Sequence, residues 1–368
     1  MYLSKNNNKE IVVIVPTENL KIQWLQELNK VDLYHDVKVE IINSAIKLNT
    51  PIDLVILDEC HRYASNEFIA IFDKRTPSRV LGLSATFNRL DSRHELLEKF
   101  CPPIDLITVV EAVENKWLAP YKEYKVLLEV DDIEVYKQHN KDFINAFSFF
   151  DFNFELAMAC VKNIRYRRAY AKKMGMPHQT VDAITFTWLT SLKARKSFVM
   201  EHPKKLEITR QILQAREHKK SITFSATIKQ AEAIKIGKLV HSKNSKKSNR
   251  ITLEEFKKMS FGNVNTAKSL DDGADIPGLN LAIVLSNTSS PTQKTQRVGR
   301  VIRYEEGKEA EIFTLVVKGT MEENWYNTSS AGKNYIEIDE EELTKILANE
   351  DIDENVKQAY ASDTLFRF

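Results

Sequence analysis

Short, fully apolar runs alternate along the chain with longer stretches in which apolar residues recur every three or four positions. Ile11–Val15 reads IVVIV, Leu54–Leu57 reads LVIL and Arg79–Leu83 reads RVLGL, each the length of a buried strand. Between the first two runs, Leu20, Trp24 and Leu28 fall four apart, which places them on one face of a helix. Buried strands alternating with amphipathic helices from 11 to about 117 predict an α/β domain with a mostly parallel sheet. A second such region opens with SITFSAT at 221–227 and continues through LAIVLS at 281–286 and EIFTLVV at 311–317. The intervening stretch, roughly 120–215, is rich in aromatic and basic residues and poor in strand-like runs. It is expected to be helical, with a break near Gly175, Met176 and Pro177. There Phe147, Phe150 and Phe154 fall at helical spacing and are expected to face a core rather than to stack on bases. Near the end, Asp339 with Glu342 three later forms a capping-box pattern ahead of Leu343, Ile346 and Leu347, which predicts a short docked helix. The expected organisation is a first α/β domain over 1–118, a basic helical insert over 119–205, a second α/β domain over 206–335 and an acidic tail with a helix over 336–368.

A length of 368 residues suits two to three domains at about 150 residues each. Apolar residues make up 43% and charged residues 28%, which excludes a disordered, collagenous or coiled-coil chain. No apolar run approaches the ~18 residues of a membrane span, and the opening MYLSKNNNKE lacks the apolar core of a signal peptide. No membrane partner is expected, and the expected compartment is the cytoplasm. Cys60, Cys101 and Cys160 are odd in number and far apart, so neither a disulfide framework nor a structural zinc is indicated.

The formal net charge of +2 hides an asymmetry. Residues 160–250 hold 22 Lys and Arg against 5 Asp and Glu, while the rest of the chain holds 31 against 46. A basic block on an acidic chain is the footprint of a polyanion partner, because each Lys or Arg near a phosphate releases condensed counterions. A solvated Lys-rich helical surface would give the same count. Arg165, Arg167 and Arg168 form the densest cluster in the block. The last 33 residues, with 10 acidic and 3 basic side chains, are expected to avoid nucleic acid or to mask a basic surface.

Three places carry candidate chemistry. The strand at 54–57 runs into Asp58, Glu59, Cys60 and His61. Ligands of open parallel sheets sit beyond the carboxyl ends of the strands, so one acid there can hold a magnesium ion and its neighbour can activate water; acids also cap helices at such positions. The strand Arg79–Leu83 runs into Ser84, Ala85 and Thr86, hydroxyls that can bond to the acids or cap the next helix. In QRVGRVIR at 296–303, Arg297, Arg300 and Arg303 recur every third residue. On a helix they share one face while Val298 and Ile302 share another. Three like charges in two turns call for carboxylate partners or a polyphosphate.

The order of these motifs resembles that of superfamily-two helicases, the DEAD/DEAH-box group of nucleic-acid-dependent ATPases. DECH at 58–61 looks like the Walker B box, LSAT at 83–86 the coupling motif and QRVGRVIR the arginine-finger motif. IVVIVPTENLKIQW at 11–24, SITFSAT at 221–227 and LDDGADIP at 270–277 resemble motifs Ia, IV and V. The spelling is similar to that of phage branch-migration helicases and restriction-enzyme motor subunits, and for a phage product the compartment would be the host cytoplasm. The resemblance implies two RecA-like α/β domains, the first lacking its N-terminal part, and an ATP- and Mg2+-dependent motor acting on nucleic acid, DNA rather than RNA. It implies that Asp58 holds Mg2+, Glu59 activates water, and His61, Gly273 and Asp275 lie at the nucleotide. Ser84 and Thr86 would couple hydrolysis to domain movement. Arg300 and Arg303 would be the fingers, with Gln296 and Arg297 completing the contact across the inter-domain cleft, and Pro16, Thr17 and Thr266 would lie along the nucleic-acid backbone.

One part of the family pattern is missing. Its first motif is a GxxxxGK[ST] loop whose backbone N–H groups and lysine hold the phosphates, and here no Gly-Lys pair is followed by Ser or Thr; Gly237-Lys238, Gly307-Lys308 and Gly332-Lys333 all fail. Three readings stay open: an upstream-encoded polypeptide supplies the loop, the reading frame is truncated, or the chain is a catalytically inactive nucleic-acid-binding module. A nuclease subunit would need a carboxylate cluster that the sequence does not display.

Overall fold

The computed structural model describes residues 10–85, 93–267, 276–330 and 334–350, and the backbone of Gln358–Tyr360. These residues fall into two compact units. One comprises Met1–Pro120, Ser269–Leu279 and Ser290–Ala310; the other comprises Tyr121–Lys268, Asn280–Ser289 and Glu311–Phe368.

In chain order the first unit begins with β1 (Ile11–Val15), α1 (Glu18–Lys30), β2 (Val37–Ile41), α2 (Ile42–Ala45) and β3 (Leu54–Asp58). A 3-10 turn (Cys60–Tyr63), α3 (Asn66–Arg75), β4 (Arg79–Leu83), α4 (His94–Glu98) and α5 (Val109–Glu114) follow. The four strands order as β2-β1-β3-β4 and all pair in parallel, as the alternation of runs predicted. β1 is buried along its whole length, which is why its sequence shows no polar alternation. Residues 11, 13 and 15 pack with Leu20, Trp24, Leu25 and Leu28 of α1, so the four-residue spacing does mark a core face. Val12 and Ile14 meet Ile42, Ile71, Phe72 and Leu97 on the other side of the sheet. α1 starts where Thr17 accepts from the Leu20 N–H at 3.4 Å, and α3 where Ser65 accepts from the Phe68 N–H at 3.3 Å, both N-caps.

The second unit opens with β5 (Tyr121–Leu128), followed by the helices α6 (Ile133–Ser148), α7 (Phe154–Lys162), α8 (Ile164–Lys173), α9 (His178–Glu201) and α10 (Pro203–Ala215). Then come β6 (Lys220–Ser225), α11 (Ile228–Ile234), β7 (Lys238–His241), α12 (Lys246–Lys257), β8 (Gly262–Ala267) and β9 (Leu281–Val284). After α13 (Pro291–Val301), which clusters with the first unit, the chain continues through β10 (Ala310–Val317), α14 (Met321–Ser329), β11 (Asn334–Ile338), α15 (Glu340–Leu347) and β12 (Gln358–Tyr360). The strands order as β12-β11-β5-β10-β9-β6-β8-β7. β11 lies parallel to β5, and β10, β9, β6, β8 and β7 run parallel to one another, while β12 closes antiparallel on β11.

Two stretches differ from the sequence expectation. The 119–205 segment is not helical throughout, because its first residues form β5 inside the second sheet. The segment after 335 is more than a tail: β11 and β12 extend that sheet, and the expected helix, α15, follows with its capping box formed between Asp339 and Glu342. α6 to α9 pack around Trp188, which is fully buried and meets the rings of Phe143, Phe147, Phe150 and Phe154 at 5.6 to 6.4 Å. The three phenylalanines read as one face therefore do serve a core. They come from α6, the turn after it and the start of α7, with Phe154 left half exposed. The helical break falls where Gly175, Met176 and Pro177 predicted it, between α8 and α9. No described helix is long and apolar enough to cross a membrane.

Within the second unit a buried ion pair ties α10 to α14. Lys205 Nζ donates to Glu322 Oε1 at 2.6 Å and to the Leu285 carbonyl at 2.8 Å, with both side chains wholly inaccessible. Glu322 also accepts from the Val317 N–H and from Asn287. Burial pushes the Lys205 ammonium below its ordinary range, against the pull of Glu322.

Candidate functional site

β3 delivers Asp58 at its carboxyl end, beside the end of β4, because the register pairs Asp58 with Leu83. Asp58 is held from α1: Trp24 Nε1 donates to Asp58 Oδ2 at 2.8 Å. Its helical spacing with Leu20 and Leu28 assigned Trp24 only a packing role, and nothing in that spacing marked the indole N–H as a hydrogen-bond donor to the acid.

Glu59 takes a left-handed backbone conformation, φ 52° and ψ 47°, which is uncommon for a residue with a side chain and is held only where surrounding contacts fix it. The reversal ends β3 and turns the chain into the 3-10 turn. It brings His61 back so that Nδ1 lies 3.3 Å from Glu59 Oε2 and 2.9 Å from Ser84 Oγ. His61 is buried and Glu59 half-buried. One imidazole nitrogen thus sits between the second acid of DECH and the hydroxyl of LSAT. The hydroxyl-tipped strand does meet the acid-tipped strand, and a histidine mediates the meeting.

Behind the acids the turn is anchored in the core. Tyr63 donates its hydroxyl to the Ile14 carbonyl at 3.2 Å, and burial, reinforced by Asp58, pushes that phenol well above its ordinary range. Cys60 and Cys101 are both buried free thiols. Their mutual hydrogen bond and burial raise the Cys60 thiol, while the same bond lowers Cys101.

α13 carries the arginine triplet. Arg297 and Arg300 are buried along with Val298, whereas Arg303 is exposed and Gln296 half-buried. The segment is tied to the first unit by the Ala119 N–H donating to the Ile302 carbonyl at 2.8 Å, by a bridge between Leu118 and Arg303, and by Glu305 accepting from the Gly278 N–H at 2.7 Å. The arginine helix therefore falls in the unit that also holds the acid-tipped sheet, whereas the expected boundary placed it in the 206–335 domain.

The other expected site residues are less uniform. Thr17 is the N-cap of α1, with Pro16 half-buried before it. Thr266 is 1% exposed inside β8 and has no face to offer a nucleic-acid backbone. Arg167 does not point to solvent as a phosphate ligand. It is ion-paired with Asp182 and donates to the Cys160 carbonyl at 2.8 Å, stapling α8 to α9 and α7. Arg165 and Arg168 are exposed, and Arg168 lines a surface recess with Lys172, Met176, Pro177 and His178. Thr86, Gly273 and Asp275 lie outside the described residues.

Comparison with known proteins decides what this geometry belongs to. Residues 204–305 match the helicase conserved C-terminal domain, and residues 38–89 match the type III restriction enzyme res subunit. The DNA 3'-5' translocase XPB2 of Sulfurisphaera tokodaii is 26% identical over 333 residues, spanning 84% of this chain and 72% of that protein. These matches support a superfamily-two helicase. A putative ATP-dependent RNA helicase of African swine fever virus is 39% identical over 99 residues, a fifth of each chain. Among solved structures, the Pyrococcus furiosus Hef helicase domain matches with TM-score 0.55 and 16% identity over 88% of this chain and 90% of that one. Saccharomyces cerevisiae Dbp5 matches with TM-score 0.55 and 13% identity over 94% and 83%. These likenesses show the fold. The two parallel sheets are RecA-like domains, and ATP use follows at the level of the superfamily-two helicase family.

Proposed function

We propose that this chain is the larger part of an ATP-dependent DNA translocase or helicase. In this reading Glu59 orients and deprotonates the attacking water, and Arg300 and Arg303, with Gln296 and Arg297, stabilise the charge of the transferring phosphoryl group. Asp58 would hold Mg2+. Carboxylates and a serine hydroxyl are the hard oxygen donors this ion takes, and no cage of three His, Cys, Asp or Glu side chains occurs among the described residues. That suits an ion which, beside nucleotide, needs only one or two carboxylates; bound, it neutralises phosphate charge.

The observation that carries the reading is His61 Nδ1 between Glu59 and Ser84. A change in hydrogen bonding at the water-activating acid is passed through one ring to the motif that would couple hydrolysis to movement, and a purely structural remnant has no need of that connection. DNA is favoured over RNA because the relative matched along most of this chain is named as a DNA translocase. The exposed Arg165, Arg168 and Lys172 supply phosphate contacts.

The test is to co-express the chain with the product of the reading frame immediately upstream and to measure DNA-stimulated ATP hydrolysis. Turnover that is lost in Glu59→Gln supports the reading. If a partner bearing a GK[ST] loop is bound and turnover is still absent, the catalytic reading fails. The second reading, a binding module without catalysis, is favoured by the exposed arginines of α8. It predicts that Glu59→Gln leaves DNA affinity and biological output unchanged, whereas Arg165→Ala with Arg168→Ala weakens binding and flattens its salt dependence.

A further inference from the structure

Within the strands of the first sheet glycine occurs once, at Gly82 of β4. Glycine weakens a strand interior and marks places where other atoms approach closely. The backbone at Gly82 lies outside the left-handed region, so conformation does not call for glycine there. The reason is space: a Cβ at Gly82 would lie 3.1 Å from the Cys60 sulfur and 3.1 Å from the Cys101 sulfur. The missing side chain leaves room for two thiols side by side.

The two thiols occupy that room and differ in character. Their mutual hydrogen bond holds Cys101 below its ordinary range and, with burial, raises Cys60. Cys101 is thus the sulfur that ionises more readily, and Cys60 is a proton donor beside it, the pairing of an attacking thiol with a resolving one. Cys60 stands between Glu59 and His61 in the 3-10 turn that leaves β3 and is 1% exposed; Cys101, which follows α4, is 7% exposed. Cover over Cys101 is thin. α4 has five residues and no side-chain N-cap, and from 102 to 108 the chain forms neither helix nor strand. Short, sparsely bonded segments of this kind open locally at low cost, which brings a small oxidant to Cys101 first.

We infer that Cys60 and Cys101 form a redox pair, which a hydroperoxide oxidises to a disulfide that locks the acid-bearing turn and which thiol reductants release. The Cys101 sulfur, deprotonated, attacks one peroxide oxygen; the O–O bond breaks, leaving a sulfenic acid on Cys101, and the departing hydroxide takes up the proton Cys101 lost, giving water. The Cys60 sulfur then attacks the Cys101 sulfur; the S–S bond forms, the S–O bond breaks, and the hydroxyl leaves as a second water with the proton of Cys60. Two thiols are oxidised and one peroxide is reduced to two waters. The disulfide ties the residue between Glu59 and His61 to the chain behind it, so that the turn which sets His61 between Glu59 and Ser84 no longer opens. As a statement about regulation, the inference rests on the reading of that site as one that hydrolyses ATP.

To test it, the reduced full chain is titrated with hydrogen peroxide, alkylated under denaturing conditions and mapped by mass spectrometry without reduction. The expected result is a Cys60–Cys101 linked peptide lighter by two hydrogens, reversed by dithiothreitol. Cys160, wholly buried with Phe150 and Trp188, should stay alkylatable and serves as the internal control. The Arg62 amide, which donates to the Glu59 carbonyl at 2.9 Å, should exchange about tenfold more slowly in the oxidised chain, as fits a cross-link that suppresses local opening. Neither change should occur in Cys101→Ser, or in Cys101→Ala if the serine variant departs from the parent circular dichroism. Sulfinic acid without a disulfide, a disulfide between two chains, or unchanged exchange at Arg62 overturns the inference. In a preparation that turns over ATP, oxidation should cut the rate about tenfold, with recovery in dithiothreitol and no effect in Cys101→Ser; turnover that survives the disulfide overturns the inference and leaves the catalytic reading standing. A reversible disulfide that slows exchange, with no turnover in either redox state, refutes the catalytic reading and leaves the redox pair standing.

Discussion

Replacing Trp24 with phenylalanine isolates the bond that fixes Asp58. Phe keeps an aromatic ring against the apolar cluster of Ile11, Val13, Val15 and Leu28 and removes the indole N–H that lies 2.8 Å from Asp58 Oδ2. A hydrogen bond to a charged group is worth about 1.5–3 kcal/mol. Both partners here are half-buried, which points to the lower end, about 1.5 kcal/mol or roughly a tenfold shift in the folding equilibrium. Because Phe also removes some apolar area, the bond is best isolated by a double-mutant cycle of Trp24→Phe with Asp58→Ala, measured by urea denaturation. A coupling energy near 1.5 kcal/mol is expected. In a reconstituted ATPase, Trp24→Phe should raise the Mg2+ requirement about 10- to 100-fold, the effect typical of losing a partner that orients a metal ligand. A coupling energy below about 0.5 kcal/mol, within the usual scatter of additive pairs, would show that the indole merely lies near the carboxylate, and the orienting role would fall.

Other perturbations test other parts of the molecule. Lys205→Met strands Glu322 as an unpaired buried carboxylate and should cost about 3–5 kcal/mol in urea denaturation, whereas the surface change Lys345→Met should cost under about 0.5 kcal/mol. Gly82→Ala would set a methyl 3.1 Å from the sulfurs of both Cys60 and Cys101. The overpacking should cost about 1–3 kcal/mol, with relief expected in the Cys101→Ala background. Arg167→Ala should lower thermal stability while leaving the salt slope of DNA binding unchanged, and Arg168→Ala should do the reverse. Burial works to raise the Glu311 carboxyl, but Lys219 and Arg216 overcome it and hold it below its ordinary range. Its contribution to stability is thus present above the unfolded-state value, about 4.3, and is lost as pH falls through the lower folded value. Glu311→Gln should flatten that acid limb in denaturation curves taken between pH 6 and pH 2.

What could be read in the sequence was whatever depends on local periodicity and motif order. β1, β3, β4 and the strands of SITFSAT, LAIVLS and EIFTLVV appear where apolar runs placed them, and the capping box of α15 forms between the two residues that spelled it. β5 was missed because YKEYKVLL carries charges that distant partners satisfy: Lys125 reaches Glu337 on the neighbouring β11 at 2.8 Å, and Glu123 accepts a hydrogen bond from Tyr326 of α14 at 2.9 Å. Partners more than 200 residues away leave no trace in a local window. At the candidate site, residue types and order were legible but their links were not. Trp24 to Asp58 is a product of the packing of α1 over β1 and β3, while His61 to Ser84 and the left-handed Glu59 are products of the register between β3 and β4 and of the turn that follows β3. Arg167 shows the converse, since a charge cluster read by composition lost one member to an ion pair that only the packing of α8 on α9 creates.

The polypeptide crosses between the two units five times, after Pro120, Lys268, Leu279, Ser289 and Ala310. Neither unit is therefore a continuous stretch that one cut could release. On the ribosome, where domains generally fold as units from the N-terminus, the first unit stays unfinished until the arginine helix and the residues up to Ala310 have emerged. By then most of the second unit has already been translated. The acids of β3 and the arginines of α13 therefore enter the growing chain more than 200 residues apart, and the first unit can be completed only late in synthesis.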